Sequence, residues 1–360
     1  MVDRGLGKVE RDFLGRVLLR NTGAKDPAVL VGPGVGLDNA VVSLGAGSVM
    51  VVTADPLSII PSIGMEDSAW LTVHELASDL TTSAVDPRFA VLDYNLPPSL
   101  SAGDFESYAV SVSDECRRLG VSIIGGHTGR YPGSDYSIVG GGMMMGIAAE
   151  GAYITPAMIR GGDDLLMTKG AAIEATAVLA LAFPETTERA VGTRAARRAS
   201  GYLRRCSTVE DARAASSVGL RDRGVTAMHD ATEGGVLGGL YELARATGRT
   251  LDVDGGAVHV SEETRAVCAA FSLDPLVTLS EGALLIASRP GRTRLVLRRL
   301  AARGVEAFRV GTVTGGGAEG KGRGGRLRLR SGDGRPRAYT PPRYDPYWAV
   351  YARGVREGWR

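Results

Sequence analysis

The stretch GPGVGLDNAVV, Gly32 to Val42, decides the fold. Its glycines have the G-x-G spacing of a phosphate-binding turn. A dinucleotide-binding fold needs a helix directly after those glycines, because the helix N-terminus holds the pyrophosphate. Here Asp38 and Asn39 follow, then the β-branched run of a short strand. A GAG turn then leads into a second strand, SVMVVTAD, Ser48 to Asp55. The stretch therefore predicts strand–turn–strand, and a dinucleotide-binding oxidoreductase, which needs a helix after Gly36, is the weaker reading. The loop also lacks the lysine with which a P-loop reaches its phosphates. An aspartate stands where that loop would become a helix.

Outward from this point the chain alternates strands and helices. Residues Lys8–Thr22 have the spacing of an amphipathic helix closed by Gly23. DSAWLTVHELASDLTT predicts a helix with Trp70, Val73, Ala77 and Leu80 on its buried side. FAVLDYNLPP predicts a strand, and DFESYAVSVSDECRRLG a second helix ending at Gly120. VSIIGGHTG predicts a short strand running into a glycine loop, and SIVGGGMMMGIAAE a further strand. A second α/β set starts at DDLLMTKG and includes the helix VLGGLYELARATG, the strand SEGALLIASRP and the helix RTRLVLRRLAARG. The pattern predicts an α/β protein of two domains, 1–155 and 156–315. Residues 316–360 follow as a Gly/Arg-rich segment and an aromatic tail that packs on the body.

The bulk properties exclude several classes. A chain of 360 residues can bury a core in each of two domains. Its net charge of +2 gives no global field for nucleic acid. The 50 glycines have no Gly-X-Y period and mark tight turns instead. Cys116, Cys206 and Cys268 are far apart, which suits neither a disulfide framework nor a zinc site. No run is long and apolar enough for a membrane span, and a cytoplasmic location is the expectation.

Polar residues recur beside the glycine turns and strand ends: Asp38, Asp55, Asp79, His127 and Asp230. Each by itself reads as a cap, an Asx turn or a solvated face. Together they suit Mg²⁺, which takes hard carboxylate oxygens together with substrate phosphates. A triphosphate could then be neutralised by magnesium and cradled by glycine N–H groups, with no lysine required. His74 reads as a packed, half-buried side chain, and His259 as a surface one.

GPGVGLDNAVV, VVTADP, VHELASDLTTSAVDPRFAVL, IIGGHTG, GGDDLLMTKG, HDATEGGVLGGLYELA and SEGALLIAS stand in the order seen in the PurM-like superfamily. That superfamily holds aminoimidazole ribonucleotide (AIR) synthetase, thiamine-monophosphate kinase, selenophosphate synthetase and HypE. The chain most resembles HypE-like, AIR-synthase-related proteins over roughly Gly7 to Gly315.

The resemblance implies two α/β domains and a homodimer in which two N-terminal sheets join as a barrel. It implies an ATP site with the N-terminal segment as a lid. Asp38, Asp55 and Asp79 would bind Mg²⁺, with Asp230 completing the set. Asn39, Thr53, Gly34 and Gly36 would support the phosphates. Gly125, Gly126, His127 and Thr128 would form a second phosphate-facing loop. Glu233 would face the cleft, and Lys169 would either touch phosphate or be a surface lysine. His127, Asp230 and Glu233 would act in catalysis.

Two departures from HypE proper stand in this sequence. His127 replaces an aspartate, and the chain ends REGWR where HypE has the cysteine that carries its reacting group. The acceptor is therefore open: a small molecule or a protein-borne group, with a hydrogenase-maturation partner protein as one possibility. The chemistry expected is phosphorylation or dehydration of an amide- or carbonyl-type oxygen. The alternatives are a small-molecule kinase of the thiamine-monophosphate or purine-synthesis type and a non-catalytic ATP-binding assembly protein.

Overall fold

A computed structural model describes residues 5–10, 13–315, 325–330 and 334–360. Its chain divides into two compact units. Pro27–Gly32 and Asp38–Tyr153 form the N-terminal unit. The described part of Met1–Asp26, together with Pro33–Leu37 and Ile154–Arg360, forms the C-terminal unit.

The N-terminal unit is a six-stranded sheet in the order β1-β2-β3-β6-β4-β5. Its strands are β1 (Val29–Val31), β2 (Ala40–Gly45), β3 (Ser48–Ile59), β4 (Phe89–Leu96), β5 (Ser122–Arg130) and β6 (Ser137–Ala149). Strand β2 begins at Ala40, so no helix follows the glycine turn. Helices α1 (Met65–Thr81) and α2 (Ala102–Leu119) cover one face.

Helix α1 is buried beyond its predicted stripe, since Leu71 and Leu76 are as buried as Val73 and Leu80. Its buried hydroxyls meet the end of β3. Thr72 Oγ1 accepts from Ser58 N at 2.9 Å, and Ser68 Oγ accepts from Ile60 N at 2.9 Å. These bonds remove the cost of burying polar groups there. Gly142 of β6 leaves room for Leu76, since a Cβ there would lie 2.7 Å from the Leu76 side chain. Ser101 caps α2 by accepting from Asp104 N, and Gly120 ends it in the left-handed conformation at φ 76°.

Because strand side chains alternate between faces, the other side of the sheet carries Met50, Val52, Ala54, Phe89, Val91, Met143, Met145 and Ile147. None of these is fully buried. Met143 is 42% and Ile147 37% exposed.

The C-terminal unit is a seven-stranded sheet in the order β13-β12-β9-β11-β7-β10-β8. It comprises β7 (Asp164–Thr168), β8 (Val225–Ala231), β9 (Thr250–Asp254), β10 (Ala283–Ser288), β11 (Ala307–Thr314), β12 (Arg326–Arg330) and β13 (Pro336–Tyr339). Helix α7 (Gly235–Thr247) packs its Leu237, Leu240, Leu243 and Ala244 into a core with Leu285, Val253 and Val310. Helices α3 (Ile173–Ala182), α4 (Pro184–Val191), α5 (Thr193–Ser200), α6 (Val209–Ser216), α8 (Glu262–Ala270) and α9 (Thr293–Ala301) complete the body. Gly192, at φ 84°, breaks the run 184–200 into α4 and α5. Helix α10 (Pro346–Glu357) follows, and Trp359 beyond it packs against Phe183 and Phe271.

Three expectations change. The helix predicted over Lys8–Thr22 is, among the described residues, only a π-helical turn at Leu14–Leu18 with no buried residue. Phe13, Val17 and Leu18 stay exposed, and a short helix is marginal without packing. The tail after residue 325 adds β12 and β13 to the C-terminal sheet, while 316–324 lie outside the described residues. His259 is half-buried, stacked on Phe308 at 4.4 Å between ring centroids.

Candidate functional site

In the N-terminal unit the chain brings Asp38, Asn39, Thr53 and Asp79 together. Asp38 and Asn39 immediately precede β2, Thr53 lies mid-β3, and Asp79 is in the last turn of α1. Thr53 Oγ1 lies 2.9 Å from the Asp38 carbonyl oxygen and 3.0 Å from Asp79 Oδ2, so its one proton serves both. Asn39 Nδ2 donates to Asp79 O at 2.9 Å and to Thr82 Oγ1 at 2.8 Å. Asn39 Oδ1 is buried with no hydrogen-bond donor on it. Asp55 is two residues beyond Thr53, on the same face of β3 and about 7 Å further along. Carboxylate and amide oxygens are of the hard kind that Mg²⁺ takes. Thr82 was not legible in the sequence; it enters because it follows α1 by one residue and turns back toward Asn39.

The expected second phosphate loop is not a loop. Gly125, Gly126, His127 and Thr128 lie within β5, paired in parallel with Val91, Leu92, Asp93 and Tyr94 of β4. The glycine at 126 has a structural cause: its φ is 150°, and a Cβ would collide with the carbonyl oxygen of Leu92. His127 is exposed on this edge strand, its Nε2 2.8 Å from the Tyr131 hydroxyl.

Lys169 is also corrected. It is 8% exposed, donates to the carbonyls of Arg205 at 3.0 Å and Ser207 at 2.6 Å, and pairs with Asp211 at 3.0 Å. Three acceptors satisfy its three N–H donors, so it is neither a phosphate contact nor a surface lysine. Gly34 and Gly36 group with the C-terminal unit. There Gly36, at φ 72°, lies against Glu242 so closely that a Cβ would collide with its carbonyl oxygen.

In the C-terminal unit Asp230 is 2% exposed near the end of β8. Its neighbour His229 faces α7, with Nε2 3.6 Å from Glu242 Oε2. Gly239 permits this close approach of α7 to the sheet. The next turn, Thr232–Glu233–Gly234, is held at every residue. Lys8 Nζ donates to Thr232 Oγ1 at 2.8 Å, and Lys8 N donates to Glu233 Oε2 at 2.7 Å. Gly234 N donates to Asp345 Oδ2 at 2.7 Å. Burial raises the Asp345 carboxyl to about 6, and the charge of Glu233 adds to the rise. Sequence reading passed over Lys8 and Asp345. Asp-Pro at 345–346 marks the cap of α10, but nothing local signals the reach to Gly234.

The segment 36–148 matches the AIR synthase related protein N-terminal domain, and 160–321 matches the corresponding C-terminal domain. The chain belongs to the AIR synthase-related family.

Family relatives fall in the HypE branch and beside it. Carbamoyl dehydratase HypE of Azotobacter vinelandii is 24% identical over 254 residues, covering 69% of this chain and 70% of the relative. Among solved structures, a HypE–HypF complex superposes with TM-score 0.70 at 17% identity, covering 92% of this chain and 99% of its counterpart. Hydrogenase maturation protein HypE in complex with ATP gives 0.65 at 20% identity, over 96% and 99%. AaThiL complexed with AMPPCP and TMP gives 0.67 at 16% identity, over 93% and 100%. These likenesses establish the AIR synthase-related fold. Among the described residues no helix is long and apolar enough to cross a membrane.

Proposed function

We propose that this protein is an ATP- and Mg²⁺-dependent enzyme that transfers the γ-phosphoryl group to an amide- or carbonyl-type oxygen, in the manner of HypE. The observation that carries this reading is the Thr53 hydroxyl shared by Asp38 and Asp79, with Asp55 on the same strand face. The HypE–ATP and AaThiL–AMPPCP structures support a nucleotide as the ligand.

Asp38, Asp55 and Asp79 would hold magnesium, which when bound supplies the positive charge that a P-loop lysine supplies elsewhere. The protein's own part is orientation. Thr53 fixes the Asp79 carboxylate, and Asn39 ties the end of α1 to the start of β2. Carboxylates fixed in this way need little reorganisation during transfer. On the C-terminal unit, the reading gives catalytic roles to Asp230 and Glu233. His127 sits exposed on β5, where an imidazole can donate to a phosphate oxygen or carry a proton.

A homodimer is part of the proposal, supported by the apolar open face of the N-terminal sheet. A partner protein that presents the acceptor is supported by the HypE–HypF assembly. The second reading, a small-molecule kinase, draws on the likeness to AaThiL with AMPPCP and TMP.

The test is incubation of the full chain with γ-labelled ATP and Mg²⁺, with a panel of phosphorylated small molecules and carbamoylated or amide-bearing peptides. Label on an amide or carbonyl oxygen, or its dehydrated product with phosphate released, supports the first reading. Label on a small-molecule phosphate or hydroxyl supports the kinase. Tight ATP binding with no ADP formed under any condition overturns both and leaves a binding protein.

A further inference from the structure

The turn after Asp230 closes on a single internal bond, from Gly235 N to Thr232 O at 3.1 Å, and its remaining groups look outward for partners. Gly234 and Gly235 both have positive φ, 85° and 67°. Such consecutive left-handed residues belong to glycine, whose backbone is the least restricted of all. Gly234 is the N-cap residue of α7 and offers no side chain to cap it. The peptide N–H of Gly234 needs an acceptor, because a buried unpaired donor is costly.

That acceptor comes from 111 residues away. Asp345 Oδ2 takes the Gly234 N–H at 2.7 Å, while Asp345 Oδ1 takes Tyr347 N at 2.8 Å and caps α10. One carboxylate thus serves two helix starts. The residue is 6% exposed, so water does not substitute for it. Lys8 occupies the two preceding residues of the turn through its main chain and its ammonium. Segments from near both ends of the described chain therefore converge on three consecutive residues.

We propose that Asp345, together with Lys8, is a positioning residue that sets the Thr232–Gly234 turn and through it the placement of Asp230 and Glu233. Helix α10 is then a working part of the site as well as cladding for the core. This inference rests on the catalytic reading of Asp230 and Glu233 for its effect on turnover, but the tether itself stands apart from that reading.

Substituting Asp345→Ser separates the two jobs of the carboxylate. Serine is a good N-cap and retains the bond to Tyr347 N, but it is too short to reach Gly234. Lys8→Met removes the ammonium and leaves the main-chain bond to Glu233.

Two measurements decide the matter. Amide hydrogen exchange on the full chain is expected to speed up at least tenfold in the peptide covering 232–237 of Asp345→Ser. The peptides of α10 should stay protected. With Mg-ATP, kcat is expected to fall ten- to a hundredfold while the ATP Kd stays within about threefold. Lys8→Met is expected to follow in the same direction with a smaller loss, and Asp345→Asn, which keeps one carbonyl acceptor, to recover part of the serine variant's loss. Unchanged exchange at 232–237, or exchange that rises only in α10, overturns the tether. Faster exchange at 232–237 with kcat intact in an enzyme that does turn over ATP overturns the positioning role. If the parent chain neither binds nor turns over Mg-ATP, the proposed function falls, and the exchange result still decides the tether.

Discussion

The hydroxyl of Thr53 stands 3.0 Å from the Asp79 carboxylate, joining mid-strand β3 to the last turn of α1. The same oxygen is 2.9 Å from the carbonyl of Asp38, which leads into β2. Three elements thus meet at one hydroxyl: the strand that carries it, the Asp79 carboxylate of the covering helix and the main chain entering β2.

Asp38→Asn and Asp55→Asn are each expected to lower Mg-ATP turnover by about a hundredfold or more, in the range seen when one electrostatic stabiliser is removed. Folding should be intact, because neither carboxylate belongs to the buried core. ADP release and thermal melting, measured side by side, check this. Parental turnover in both variants would remove the basis of the assignment.

Lys169→Met is expected to destabilise the protein by about 3–5 kcal/mol, because it strands the buried Asp211 carboxylate. Urea unfolding gives the number. Were Lys169 a phosphate contact instead, stability would be unchanged and ATP affinity would drop.

Asp345 supplies a pH signature. Its carboxyl is raised to about 6 by burial, whereas in the unfolded chain it titrates near the ordinary value of about 3.9. Between those values the native state holds the extra proton, so this group's contribution to stability is present at low pH and is lost as pH rises through about 6. The difference is on the order of 3 kcal/mol. Asp345→Asn should therefore gain stability relative to the parent as pH goes from 4 to 7, by urea unfolding at each pH. A constant gap between the two proteins across that range would show that the shift is absent.

Met143→Arg is expected to convert a dimer to a monomer in sedimentation velocity without lowering the melting temperature of the monomeric form. Met143 faces away from α1 and α2, on the apolar side of the sheet. A parent chain that sediments as a monomer at all concentrations would dispose of the dimer.

Much of the N-terminal unit is legible locally. The β-branched run after Asn39, the apolar spacing of α1 and the Gly120 cap all act over a few residues. The glycines of β5 mislead, because glycine ordinarily interrupts a strand. Here Gly126 is needed inside one, where the carbonyl of Leu92 leaves no space for a Cβ. The periodicity of 8–22 misleads in the opposite sense, since an apolar stripe counts only where something buries it. Strands β12 and β13 are short, and their alternating arginines hide the single fully buried leucine, Leu327. Lys169 and Asp345 were beyond reach for a different reason: their partners lie 42 and 111 residues away, and only the folded topology pairs them.

The two sheets carry their borders differently. Strand β13 ends its sheet with a proline and an arginine, chemistry that discourages another chain from pairing there. Strand β5 ends the other sheet with Ile123 and Ile124 exposed, one strand away from the exposed Met143 of β6. Anyone trimming this protein to residues 38–153 for crystallisation or binding assays should anticipate clumping from that side, whereas a fragment beginning near 154 lacks the sticky rim altogether.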